Sequence, residues 1–163
     1  MDDYATPYEA VLPLLPHLDG IRTFAEPCAG KGDLIRHLEY LANLDCCYRG
    51  DLATGQDALF LNSIDVVDAD AIITNPPWTR QLLHPLIDRF MRLRPTWLLF
   101  DADWIHTRQA AGYLQHCATV VSVGRVKWIP DSKYTGKDNA AWYLFDHRHV
   151  AGPRFVGREE VAA

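Results

Sequence analysis

Two turns, each placed where an apolar run ends, constrain this chain more than any other feature. The first is Glu26-Pro27-Cys28-Ala29-Gly30-Lys31-Gly32. It follows the run at residues 21–25 and leads at once into a helical stripe of Leu34, Ile35, Leu38 and Leu41. The second is Asn75-Pro76-Pro77-Trp78, which follows Ala71, Ile72 and Ile73 and precedes a helical pattern over residues 79–94 with an irregularity near Pro85. A strand that turns directly into a helix is the repeating unit of a parallel sheet, because parallel neighbours need a crossover between them.

The remaining segments extend that pattern. Residues 46–52 read as a short strand and 96–100 as a buried one, with a helix expected over 105–117. Residues 118–129 and 140–146 read as the last two strands, joined by the polar loop DSKYTGKDN at 131–139 instead of a helix. An antiparallel pair at one end of a mainly parallel sheet follows, with helices on both faces. At the start, Thr6 reads as an N-cap, Pro7 suits a first helical turn and Glu9 stands at the capping-box position. Pro13 and Pro16 limit that helix to a short or broken one. The 163 residues, 48% hydrophobic and 23% charged, suit one domain over 1–163, with an irregular tail from about residue 147.

Charge narrows the function. The net charge is −5, but residues 1–70 hold 13 acidic and 4 basic side chains, whereas residues 71–163 hold 8 acidic and 12 basic ones. The acidic total argues against broad adhesion to nucleic acid, while the basic half can meet phosphates locally. No apolar stretch reaches the length of a membrane span, and the start lacks a signal peptide's regions, so a cytoplasmic protein without membrane contact is expected. Cys28, Cys46, Cys47 and Cys117 do not form a zinc-knuckle pattern and read as free thiols, and His147 and His149 read as a strand surface, so no metal is expected.

The two turns carry the chemistry. Gly30 and Gly32 let a ligand approach the backbone closely, but a dinucleotide fingerprint would need a third glycine where Ile35 stands. Asp51 ends the second strand, where an acid either binds both hydroxyls of a ribose or merely starts a turn. Asp57 either accepts from an adenine amino group or caps a short helix. In the second turn, Pro76 and Pro77 remove two amide donors, leaving the Asn75 side-chain oxygen and the Pro76 carbonyl free to converge on an exocyclic amine. Trp78 offers a flat face for stacking a base, or packs as part of a rigid turn. Arg80, Arg89, Arg92 and Arg94 follow on the next helix, and Arg125, Lys127, Lys133 and Lys137 lie near Trp128 and Tyr134. Such cations suit the phosphates of a strand, or a solvated face.

These residues resemble the class I S-adenosylmethionine-dependent methyltransferases that methylate amines, above all the DNA N6-adenine enzymes. EPCAGKG is similar to the cofactor motif, NPPW to the catalytic motif and TPYEAVLPLL to an N-terminal cofactor segment; the resemblance spans residues 6–146. It implies a Rossmann-like methyltransferase fold and S-adenosyl-L-methionine as cofactor. Cofactor roles would fall on Thr6, Glu26, Pro27, Cys28, Gly30, Gly32, Asp51 and Asp57, and catalytic roles on Asn75, Pro76, Pro77 and Trp78. DNA contacts would fall on Arg80, Lys127, Lys133 and Lys137. The chain departs from the family in lacking room for a target-recognition domain, which implies a short or relaxed site and a minimal, phage-like enzyme acting in a bacterial or phage-infected cell. Methylation of RNA adenine or of protein glutamine is the alternative, since NPP turns serve any planar amine. A non-catalytic subunit is a further one, against which the intact Glu26, Gly30, Asn75 and Trp78 weigh. Oligomeric state stays open, a homodimer among the options.

Overall fold

The computed structural model describes residues 5–159, so the outermost ends of the expected 1–163 domain lie outside the described residues. A helix α1 (Tyr8–Val11) and a 3-10 turn (Leu12–His17) precede strand β1 (Thr23–Glu26). Helix α2 (Asp33–Ala42) and strand β2 (Asp45–Arg49) follow, then two 3-10 turns and strand β3 (Ala71–Thr74). Helix α3 (Arg80–Leu93) leads to β4 (Thr96–Asp101), and helix α4 (Ala111–Leu114) to β5 (Cys117–Arg125), β6 (Asn139–Phe145) and β7 (Arg154–Val156).

The seven strands form one sheet in the order β2-β1-β3-β4-β6-β5-β7. Every neighbouring pair is parallel except the two made by β6. This is the mainly parallel, Rossmann-like sheet with an antiparallel pairing that the sequence implies. β1 has β2 on one side and β3 on the other, so the chain leaves it in opposite directions at its two neighbours. Ligands of open α/β sheets enter the crevice that such a reversal leaves at the carboxyl ends of the strands. Both motif turns leave those ends, one after Glu26 and one after Thr74.

Each face of the sheet is covered by its own core. Phe24, Ile73, Trp97, Leu99 and Trp142 meet α2 and the N-terminal segment on one face. Ile72, Leu98, Phe100, Tyr143 and Phe145 meet α3 and Trp104 on the other. Strands buried on both faces read as continuous apolar runs, as AIIT and TWLLF do.

Four local expectations need correction. Thr6 does not cap α1: Pro7 occupies the cap position, no side-chain cap is made, and Thr6 is buried instead. Residues 105–117 do not form one helix; a 3-10 turn (Ala102–His106) and the four-residue α4 replace it, because the Asp101 carboxylate caps the first through Asp103 N and Thr107 is extended. β6 is not the last strand and the tail is not wholly irregular, since β7 pairs in parallel with β5 along residues 119–121. His147 and His149 lie beyond β6 in a turn, not on a strand, and their rings bond the carbonyls of Met91 and Gly152. The buried donors of β5 gain partners from β7, which explains why so short a segment is ordered there.

Trp142 on β6 ties the N-terminal segment to the sheet, its indole N–H donating to Ala10 O at 2.8 Å. Trp142→Phe removes that bond and part of a fully buried ring. A loss of about 1–3 kcal/mol in urea unfolding is expected. Unfolding at wild-type denaturant would show that this anchor contributes nothing.

Candidate active site

A cleft of roughly 300 Å3 opens at the carboxyl ends of β1 and β3. Thr6, Glu26, Cys28, Gly30, Asp51, Asn75 and Pro77 all line it, so the structure brings most of the expected site residues into one place. Pro27, Gly32, Asp57, Pro76 and Trp78 are not among its lining residues.

The first turn is shaped by its backbone. Ala29 N donates to Gly50 O at 2.8 Å, Gly50 N donates to Glu26 O at 3.0 Å, and Gly32 N donates to Ala29 O at 2.8 Å. Gly30 and Gly32 have φ of 53° and 87°, a region that strains other residues. A Cβ at Gly32 would also stand 2.8 Å from the Arg49 guanidinium, which crosses the turn and donates to Gly30 O. The glycines are therefore needed for the bend of the chain, while Arg49 could shift at its flexible end.

Glu26 forms the floor. Its side chain is 1% exposed and accepts from Cys28 N at 2.9 Å. Burial pushes its carboxyl up to about 8, against the pull of the Thr74 hydroxyl, Cys28 N and Arg49, with Asp51 adding to the rise. Thr74 Oγ1 is itself buried and makes no full hydrogen bond with a described residue, although it lies close enough to Glu26 and Cys28 to favour their charged forms. Burial likewise keeps the Cys28 thiol protonated. A buried acid kept neutral, beside a hydroxyl without a full hydrogen bond at the base of a cleft, suits a polar ligand whose positive group lets the acid ionise.

The two aspartates behave differently. Asp51 lines the cleft, and one of its carboxylate oxygens accepts from Ala53 N at 3.3 Å, capping a short turn (Leu52–Thr54). Asp57 caps Ala58–Phe60 through Leu59 N at 3.0 Å, which realises its capping reading. Lys31, Asp33 and Leu34 also line the cleft, and sequence reasoning passed over them. Their signal was position alone: Lys31 is inside the turn, and Asp33 and Leu34 open α2. With Asp33 and Asp51 against Lys31, the lining is acidic even while Glu26 keeps its proton. That disfavours the pyrophosphate of a dinucleotide and suits a cation.

The second turn corrects one expectation. The Asn75 side-chain oxygen is not free: it accepts from Trp78 Nε1 at 3.1 Å. Its amide nitrogen donates to Thr6 Oγ1 at 3.3 Å. Trp78 Nε1 is shared with Leu99 O at 3.1 Å, and the ring is half-buried, edge-to-face with Trp128 at 5.5 Å. A carbonyl oxygen has a second lone pair, so Asn75 can still accept one more hydrogen bond.

The cations surround the same edge. β5 runs parallel to β4, so residues 126–138 leave the sheet on the side of Asn75. Lys127, Lys133 and Lys137 are exposed there, beside the exposed Tyr134. Arg80, in the first turn of α3, lies 3.4 Å from the Asp101 carboxylate. Among the described residues no group of three His, Cys, Asp or Glu could hold a metal, and no helix is long and apolar enough to cross a membrane.

No protein-family model matches the sequence, and no curated protein does. Solved structures do match the fold. A chain from a study of complex assembly and conformational transition in the type I R-M system aligns over 96% of this chain at TM-score 0.57 and 15% identity. A chain described as a modification subunit of a proposed type I restriction enzyme from Vibrio vulnificus YJ016 aligns over 98% at TM-score 0.57 and 15% identity. A proposed class I S-adenosylmethionine-dependent methyltransferase from Listeria monocytogenes aligns over 96% at TM-score 0.60 and 13% identity. This chain spans 45%, 48% and 66% of their respective lengths.

The raised Glu26 fixes the sign of a pH effect. The folded chain keeps this proton up to about pH 8, while an unfolded glutamate loses it near 4.5. Its contribution to stability is therefore full below pH 4.5 and is lost as the pH rises through about 8. Glu26→Gln should flatten this part of the profile and melt above wild type at pH 9. Parallel melting profiles from pH 5 to 9 would contradict the burial of the charge.

Proposed function

We propose that this chain transfers a methyl group from S-adenosyl-L-methionine to the N6 amino group of adenine in DNA. One observation carries the reading: a single acidic cleft is lined by both turns, so a cofactor held by Glu26 and Asp51 would meet a substrate held at Asn75. The fold neighbours support the chemistry, and the chain named as a modification subunit of a restriction enzyme supports DNA as the substrate.

The residues fit the cofactor. Glu26 would ionise against its ammonium, Asp51 would accept from its ribose hydroxyls, and the Gly30 turn lets its backbone come close. Bound there, the cofactor supplies an electrophilic methyl on a sulfonium. Asn75 would offer its second lone pair, and Pro76 its carbonyl, to the two amine protons, and both would stabilise the positive charge growing on nitrogen. Pro76 and Pro77 have no N–H to compete for the amine. By holding the amine in one orientation, Asn75 and Pro76 would supply much of the rate, and the amine's proton would leave to solvent without a dedicated base.

DNA would lie across residues 126–138 and the start of α3. Exposed lysines there suit phosphates more than base edges, which supports a short or relaxed site preference. Lys133→Ala with Lys137→Ala should weaken binding to all sequences and lower the slope of log affinity against log salt by about 1–2. An unchanged slope would place DNA elsewhere.

The direct test supplies labelled S-adenosylmethionine with DNA, RNA and protein, and identifies the product. N6-methyladenine in DNA is expected, and Asn75→Ala should lower turnover by roughly 10²-fold with little change in cofactor affinity. Label in RNA or in glutamine would move the substrate assignment, and a fully active Asn75→Ala would move the chemistry from this turn.

A further inference from the structure

We propose that Trp78 is a positioning residue for Asn75, acting through its indole N–H, and that an aromatic ring alone cannot replace it. The inference rests on the methyltransferase reading for its functional consequence, but its geometry stands without it.

An asparagine amide has nearly the same shape in both orientations, so its neighbours must decide which end is oxygen. Asn75 has two such neighbours. Thr6 Oγ1, at 3.3 Å, can either donate or accept and so cannot decide. Trp78 Nε1, at 3.1 Å, can only donate and therefore requires an oxygen opposite it. Leu99 O, at 3.1 Å, can only accept; it shares the same N–H and so fixes the indole between the strand and Asn75. Trp128 supports the ring from the side at 5.5 Å. The result is a chain from a strand carbonyl through Trp78 and Asn75 to Thr6, which is 5% exposed and lines the cofactor cleft.

The consequence is chemical. With the oxygen held by Trp78 and the nitrogen by Thr6, what Asn75 can still offer an incoming amine is the second lone pair of that oxygen. Turned by 180°, the same amide would present N–H donors toward an incoming amine, which also donates, and attraction would become repulsion. Trp78 thus sets the polarity of the site. A ring required only for stacking would tolerate phenylalanine, whereas a ring required for its N–H would not.

Two variants separate these roles: Trp78→Phe, and Trp78 replaced by 3-benzothienylalanine, which keeps the bicyclic shape and lacks the N–H. The first readout needs no substrate. In the free protein, solvent exchange of the Asn75 side-chain amide protons should be at least about tenfold faster in both variants. Equal exchange in wild type and both variants would overturn the proposal. The second readout is turnover on adenine-containing DNA, where kcat should fall roughly 10- to 100-fold with KM within about twofold, as for a misaligned catalytic group. Wild-type kcat in either variant would also overturn it. A rise in KM with kcat unchanged would return Trp78 to a stacking role. A wild-type chain that methylates no DNA, yet shows the exchange effect, would remove the substrate assignment and leave the positioning role standing.

Discussion

β1 is paired in parallel on both sides, and the site exists because of that pairing. The backbone of Phe24 and Ala25 must satisfy two ladders at once, to β2 and to β3. The connections from those neighbours then diverge at the carboxyl edge and leave a gap beside the start of α2. What fills it is the pair of turns that leave β1 and β3. Their composition follows their shape: glycines where the backbone takes positive φ, prolines where the turn carries no amide donor. Two cores, one on each face, hold the strands in register, so the turns inherit a rigid base.

The electrostatics of the cleft are costly to the folded chain. Glu26 is buried with one strong backbone donor, and Thr74 is buried beside it without a full partner. Polar groups kept in this condition are often functional, because an entering ligand restores what folding removed. A cationic ligand would allow Glu26 to ionise. The same reasoning separates this cleft from a phosphate site: Asp33 stands in the first turn of α2, where a phosphate-binding helix would keep its dipole clear.

Much of this was legible in the sequence. AIIT and TWLLF are apolar but for Thr74 and Thr96 because both faces of their strands are covered, and the turn after AIIT carries its own chemistry. Glu26, Gly30, Asp51 and Asn75 could be placed in one site because strand ends share an edge. Other features depended on distant residues. Thr6 looked like a helix cap, and only the fold brings it to Asn75, 69 positions away. The helix expected at 105–117 was lost to a competing cap at Asp101. β7 is three residues long, and its ordering comes from the free edge of β5, which local pattern does not carry. The occupied Asn75 oxygen could not be read from NPPW, because the same four residues permit Trp78 to point toward solvent or back onto the turn.

The central claim is that the two turns form one site, with the cofactor on the first and the acceptor on the second. A crystal structure with S-adenosylhomocysteine tests it most directly. The account predicts the amino group against Glu26, the ribose hydroxyls on Asp51, and the sulfur facing Asn75 across the space of a methyl group. Density for the ligand elsewhere, such as the groove between Pro13 and Val121, or a sulfur turned away from Asn75, would contradict it.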